Sequence, residues 1–126
     1  MANVLALVQD ERVSLDPEKL DELYTRLGAA GAEDVVCRAL EHLAHRMSLC
    51  ERCWHQQDHA GLRKNARATA AVAEQIGMVL FARVARDIVT AIDQGNDATI
   101  GATLFRLMRV GELSLTALWS HEDLTV

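Results

Sequence analysis

Between residues 32 and 57 the side chains Val36, Leu40, Leu43, Met47, Cys50 and Trp54 recur at alternating spacings of four and three. At 3.6 residues per turn this rhythm draws one continuous seam along an α-helix, whereas a half-buried strand needs alternation at every second residue. The opposite face carries Arg38, Glu41, His45, Ser48 and Arg52, so the seam has a polar back and must face a core. The same rhythm returns in Leu20, Leu23, Tyr24 and Leu27, and then in Leu62, Ala66, Thr69, Ala73 and Ile76. It returns twice more, in Phe81, Val84, Ala85, Ile88 and Ile92 and in Ile100, Leu104, Leu107, Met108, Leu115 and Leu118. No run of alternating β-branched residues competes with it.

Local signals place the helix ends. In "SLDPEKLDELYTRLG" Asp16 suits an N-cap, Pro17 the first turn and Gly28 the end. A long helix is expected from about Ala32 to about Gln57. Asp58 is the cap of the next, which ends near Gly77; another ends at Gly95, and Asn96 or Asp97 caps the last. Val4, Leu5, Leu7 and Val8 are candidates for a short extra helix at the start. Substantial amphipathic helices joined by short connections, with no internal repeat or linker, predict a single all-α domain over residues 1–126. Its expected architecture is an up-and-down antiparallel four-helix bundle.

Composition narrows what such a bundle can do. Half of the 126 residues are hydrophobic but only 4% are aromatic, so aliphatic side chains and alanine must build the core. A formal charge of −5 lacks the clustered positive charge that nucleic-acid phosphates demand. The apolar stretch in "MANVLALVQDERV" is too short to span a membrane and has no basic region before it. The three cysteines fit a reducing compartment, and a cytoplasmic protein is expected, without nucleic-acid or membrane partners.

The stretch "CERCWHQQDH" gathers Cys50, Cys53, His55 and His59, with His42 and His45 upstream, all of them residue types that bind zinc-like ions. Their placement argues against a metal site. Paired structural cysteines sit on a tight turn, whereas Cys50 belongs to the buried seam and behaves there as a small hydrophobe. His42 and Cys50 lie about 12 Å apart along the helix axis, too far to share an ion. His55 and His59 read as polar residues at a helix boundary. No Ser/His/Asp set, Cys/His pair or glycine-rich phosphate loop stands out, so neither catalysis nor a cofactor is expected.

The stretch "LRKNARATAAVAEQIG" carries the functional signal. With Leu62, Ala66, Thr69 and Ala73 turned inward, Arg63, Arg67, Ala70 and Glu74 fall on one outward face, flanked by Lys64 and Ala71. A solvated face is usually covered by long charged side chains; beyond Arg67 this one offers alanine, over which another backbone can come close. Alanine also simply favours the helix.

These residues resemble the core of the histidine-containing phosphotransfer (HPt) domain, a helical bundle that carries a phosphoryl group on histidine between receiver domains. That family's pattern is an alanine, the phosphorylated histidine, two residues, a lysine, a glycine, a small residue and, shortly after, an apolar–glycine pair. Here Ala66 takes the alanine position, Ala70 the lysine, Ala71 the glycine, Val72 the small residue and Ile76-Gly77 the closing pair. The stretches "QQDHAGLRKNA" and "LDPEKLDELYTRLG" are similar to the family's approach to that helix and to its opening helix. Residues 81–119 resemble its last two helices.

The histidine position holds Arg67. A guanidinium stays protonated and cannot attack phosphorus as a neutral imidazole nitrogen does. The resemblance therefore implies a bundle of two-component phosphorelay signalling that binds a receiver domain or histidine kinase without carrying phosphate. Arg63, Lys64, Arg67, Ala70, Ala71 and Glu74 would form the docking face. A structural or oligomerising helical module, and a metal-binding bundle using Cys53, His55 and His59, are the competing readings.

Overall fold

The computed structural model describes residues 16–125, with side chains to residue 116. It contains four α-helices: α1, Pro17–His55; α2, His59–Gln75; α3, Val79–Gln94; and α4, Asp97–Thr125. Each packs on the next, and α4 closes back on α1, which makes an all-α, up-and-down antiparallel bundle. The described residues include no β-strand. The candidate helix at Val4, Leu5, Leu7 and Val8 lies outside them.

The seams fill the core as their spacing requires. Leu40, Leu43 and Cys50 of α1 are buried with Leu62 and Ala66 of α2, Phe81 and Ile88 of α3, and Ile100 and Leu107 of α4. Trp54 stays half-buried at the end of its seam, where its indole lies against Gly101 of α4. About two turns back along α1, the thioether of Met47 fills the space beside Gly111, where an added Cβ would come within 2.6 Å of it. Large side chains of α1 thus sit over missing ones on α4, and the two helices can approach.

The break at Gly28 is tighter than expected. Its φ of 75° and ψ of 170° interrupt α1 at a single residue, and helical turns resume at once rather than from Ala32. Glycine adopts positive φ without a Cβ clash, and the alanines that follow re-enter a helix readily. The first apolar stripe fades toward this break. Leu20 and Leu23 are buried and Tyr24 partly so, but Leu27 is 42% exposed, because the last turn before the change of direction leaves the packed surface.

The caps match the side chains that propose them. Asp16 accepts from the Glu18 N–H, Asp58 from the Gly61 N–H and, at the start of α4, Asn96 from the Thr99 N–H. Gly77 joins the two ends of the described chain's first half: its carbonyl accepts the Asp16 N–H at 2.7 Å, which seats the start of α1 on the α2–α3 turn. Its φ is +77°, and a Cβ there would stand 2.9 Å from the Asp16 carbonyl oxygen.

Gly95 provides the control, since its φ is +72° but nothing lies within 4 Å of an added Cβ. Gly95→Ala should therefore cost only the left-handed backbone penalty, about 1 kcal/mol. Gly77→Ala adds a backbone clash and should cost about 2–3 kcal/mol. Urea unfolding of the two variants measures this; equal losses would remove the docking role given to Gly77.

Candidate functional site

Helix α2 runs through the bundle with α1 on one side and α3 on the other. Leu62, Ala66, Thr69, Ala73 and Ile76 are buried in the core. Thr69 closes its hydroxyl onto the Asn65 carbonyl at 2.7 Å, so a polar side chain enters the core satisfied. Of the expected outward face, Lys64, Arg67, Ala71 and Glu74 are exposed, and Arg63 is half-buried. Ala70 departs from the expectation: it is only 3% exposed. Helix geometry brings it around to the side that α3 covers, and a small side chain lets α3 come close enough to hide it.

Helix α3 then turns the face into a cleft. Arg67, Ala70, Ala71 and Glu74 on one wall meet Arg86, Val89 and Thr90 on the other, around a volume of about 340 Å³. Ion pairs cross between the helices on either side of Arg67. Arg63 grips Asp93 with both nitrogens of its fork, Nε to Oδ1 at 2.9 Å and Nη2 to Oδ2 at 3.2 Å. Arg86 pairs with Glu74. The hydrogen bond from Arg63 holds the Asp93 carboxyl below its usual range; desolvation opposes it, and the charges of Arg63 and Arg67 add lesser support. Asp93 in turn raises Arg63 above the usual guanidinium value.

Arg67 differs from both neighbours. It forms no hydrogen bond or ion pair with any described residue and sits exposed at the cleft mouth. Sequence reasoning located Arg67 and the alanines but missed Arg86, Val89, Thr90 and Asp93. These follow from i, i+3 and i+4 steps on α3, and nothing in their spacing states which face of α2 they will meet.

The cysteine and histidine cluster is dispersed over several environments. Cys50 is fully buried. Cys53 is half-buried and receives a weak contact from Asn65 Nδ2 at 3.8 Å. Asn65 also accepts from Arg46 Nη1 at 2.8 Å, which ties α2 to α1. His42 accepts from Arg46 Nε at 3.1 Å, while His45 and His55 are exposed. His59 stacks on Trp54 with ring centroids 6.3 Å apart, and its Nε2 lies 3.7 Å from Asp97 at the start of α4. Among the described residues no group of three or more histidine, cysteine or acidic side chains converges as a metal site would require.

The geometry thus defines a four-helix antiparallel bundle with an open cleft between α2 and α3 and a single unpaired arginine at its mouth. No helix among the described residues is long and apolar enough to cross a membrane. No family model, curated protein or solved structure matches this chain.

Burial gives Cys50 a measurable signature. Desolvation pushes its thiol from 9.0 up to about 11, outweighing lesser influences of Thr69 and Arg46 in the other direction. The folded chain therefore holds this proton more tightly than the unfolded one. Its contribution, on the order of 2 kcal/mol, is complete below about pH 9 and is lost as the pH rises through about 11. Urea unfolding of wild type and Cys50→Ala across that window tests this: the variant should lose less stability on alkalinisation, and parallel curves would contradict it.

Proposed function

We propose that this bundle is an HPt-like protein of two-component signalling that docks onto a receiver domain or a histidine kinase through α2 and does not itself carry phosphate. The reading is carried by Arg67. It occupies the position that matches the family's phosphohistidine, it projects from the middle of α2, and it is left unpaired where Arg63 and Arg86 are both neutralised by acids. An unpaired guanidinium over small side chains suits a partner surface that brings carboxylates. In a receiver those carboxylates bind the metal and accept the phosphoryl group, and a fork of guanidinium donors pairs with them well. The resemblance and the placement of Arg67 support this function together; the four-helix fold alone serves many others.

Phosphoryl transfer through another histidine is disfavoured by position. His59 and Arg67 lie on the same helix eight residues apart, about 12 Å along its axis. A receiver seated over Arg67 would not reach the imidazole of His59, which is stacked on Trp54.

A second reading, a self-associating structural module, draws on a different face. On α4, which does not line the α2–α3 cleft, Phe105 is 69% exposed and Leu113 43% exposed, with the Arg109 guanidinium 5.8 Å from the Phe105 ring centre.

The test is binding and phosphotransfer against a panel of receiver domains from the same cell. Arg67→Glu should weaken docking by several kcal/mol by setting like charges together. It should change folding by only about 0.5 kcal/mol, because the position is exposed. Arg67→His should bind and show at most slow phosphorylation, since Ala70 stands where the family has lysine. If wild type and both variants bind alike, or none binds a receiver at micromolar concentration, the docking reading fails. Sedimentation of a concentration series, with Phe105→Glu as control, then decides the self-associating alternative.

A further inference from the structure

The cleft at Arg67 has a neighbour. A second cleft of about 360 Å³ lies between the start of α1 and the beginning of α3, where Asp16 and Lys19 face Val79 and Ala82. Glu74 and Arg86 line both clefts. The two spaces are therefore halves of one groove that follows α2 and α3 from Arg67 toward the first turn of α1, and the Glu74–Arg86 ion pair bridges it midway.

We infer that this ion pair is a latch over the docking groove, opened when a carboxylate of the docking partner replaces Glu74 on Arg86. The inference rests on the docking reading above and specifies how that site is regulated. Three observations carry it. Both side chains of the pair are half exposed, at 52% each, so the pair is solvated and its exchange for another carboxylate is cheap. Arg63–Asp93, at the other side of Arg67, is the doubly hydrogen-bonded pair and remains as the fixed tie between the helices. Release of Arg86 would place a second guanidinium beside Arg67 in the half of the groove otherwise walled by Ala70, Ala71, Val89 and Thr90, while Asp16 and Lys19 set opposite charges in the other half. Two cations over an apolar floor match an acidic, carboxylate-bearing partner edge in charge, which one cation matches only in part.

In the free protein Glu74 competes with the partner for Arg86. This leads to an unusual direction of effect: removal of a charged residue from the interface should strengthen binding.

The experiment uses the full chain and the isolated receiver domain that binds wild type in the panel, with affinities from calorimetric titration. Glu74→Gln keeps the shape, frees Arg86 and should tighten binding about fivefold, the scale of one exposed ion pair. Arg86→Gln should weaken it by a similar factor. The double variant Glu74→Gln/Arg86→Gln should bind no better than Arg86→Gln, because the gain acts only through Arg86. A purely structural pair would give no gain in any variant, and thermal unfolding of each confirms that folding is kept. If Glu74→Gln binds as well as wild type or more weakly while Arg67→Glu still disrupts docking, the latch is wrong and the docking face stands. If Arg67→Glu has no effect either, the docking reading has failed and the latch falls with it.

Discussion

Close approach of α3 to α2, allowed by alanine, is the contact from which the candidate site follows. Ala66, Ala70 and Ala73 are buried on α2, and Ala82 and Ala85 on α3. Small side chains shorten the distance between helix axes, so that charged residues at the edges of the contact can reach across it. Arg63 and Glu74 leave α2 and find Asp93 and Arg86 on α3. A leucine in place of Ala70 would fill the cleft and push these partners apart. The packing interaction is dispersion and burial; the charged features around the groove are its consequence.

The groove shows how a bundle can keep charge available at low cost. Exposed ion pairs contribute little to stability, typically under about 1 kcal/mol each. They can still decide which cations remain open to a partner. Asp93 binds Arg63 through two hydrogen bonds and Glu74 binds Arg86, which leaves Arg67 between them with no acid in hydrogen-bond contact, its charge reaching Asp93 only at a distance. The position at which the proposed function places docking is thus the one whose guanidinium has no acid in hydrogen-bond contact. In the proposed docking role, that position acts through charge.

The opposite side of the bundle uses the same device in reverse. Trp54 and Met47 are large, and Gly101 and Gly111 on α4 make room for them. Thr69 and Cys50 bring polar atoms into the core without loose ends: the threonine bonds within its own helix, and burial favours the protonated thiol. Cys50, which the seam assigns to the core, is fully buried there. A thiolate would be needed for coordination, and burial disfavours the thiolate.

By itself the sequence determined the helices, their inward faces and most of their ends, because these depend on local spacing. The seam from Val36 to Cys50 is buried throughout, and Asp16, Asp58 and Asn96 each cap a helix through a hydrogen bond within their own turn. It also singled out Arg67, since an arginine among alanines is visible without a fold. Tertiary structure decided everything that needed a second helix. Ala70 turned out to be buried because α3 covers it, Leu27 exposed because the chain changes direction at Gly28, and Gly77 crowded as well as left-handed because Asp16 lies against it. Periodicity specifies which way a side chain points from its own helix axis, but not the rotation and height of the neighbouring helix. The groove, its two ion pairs and the isolation of Arg67 between them are products of that register.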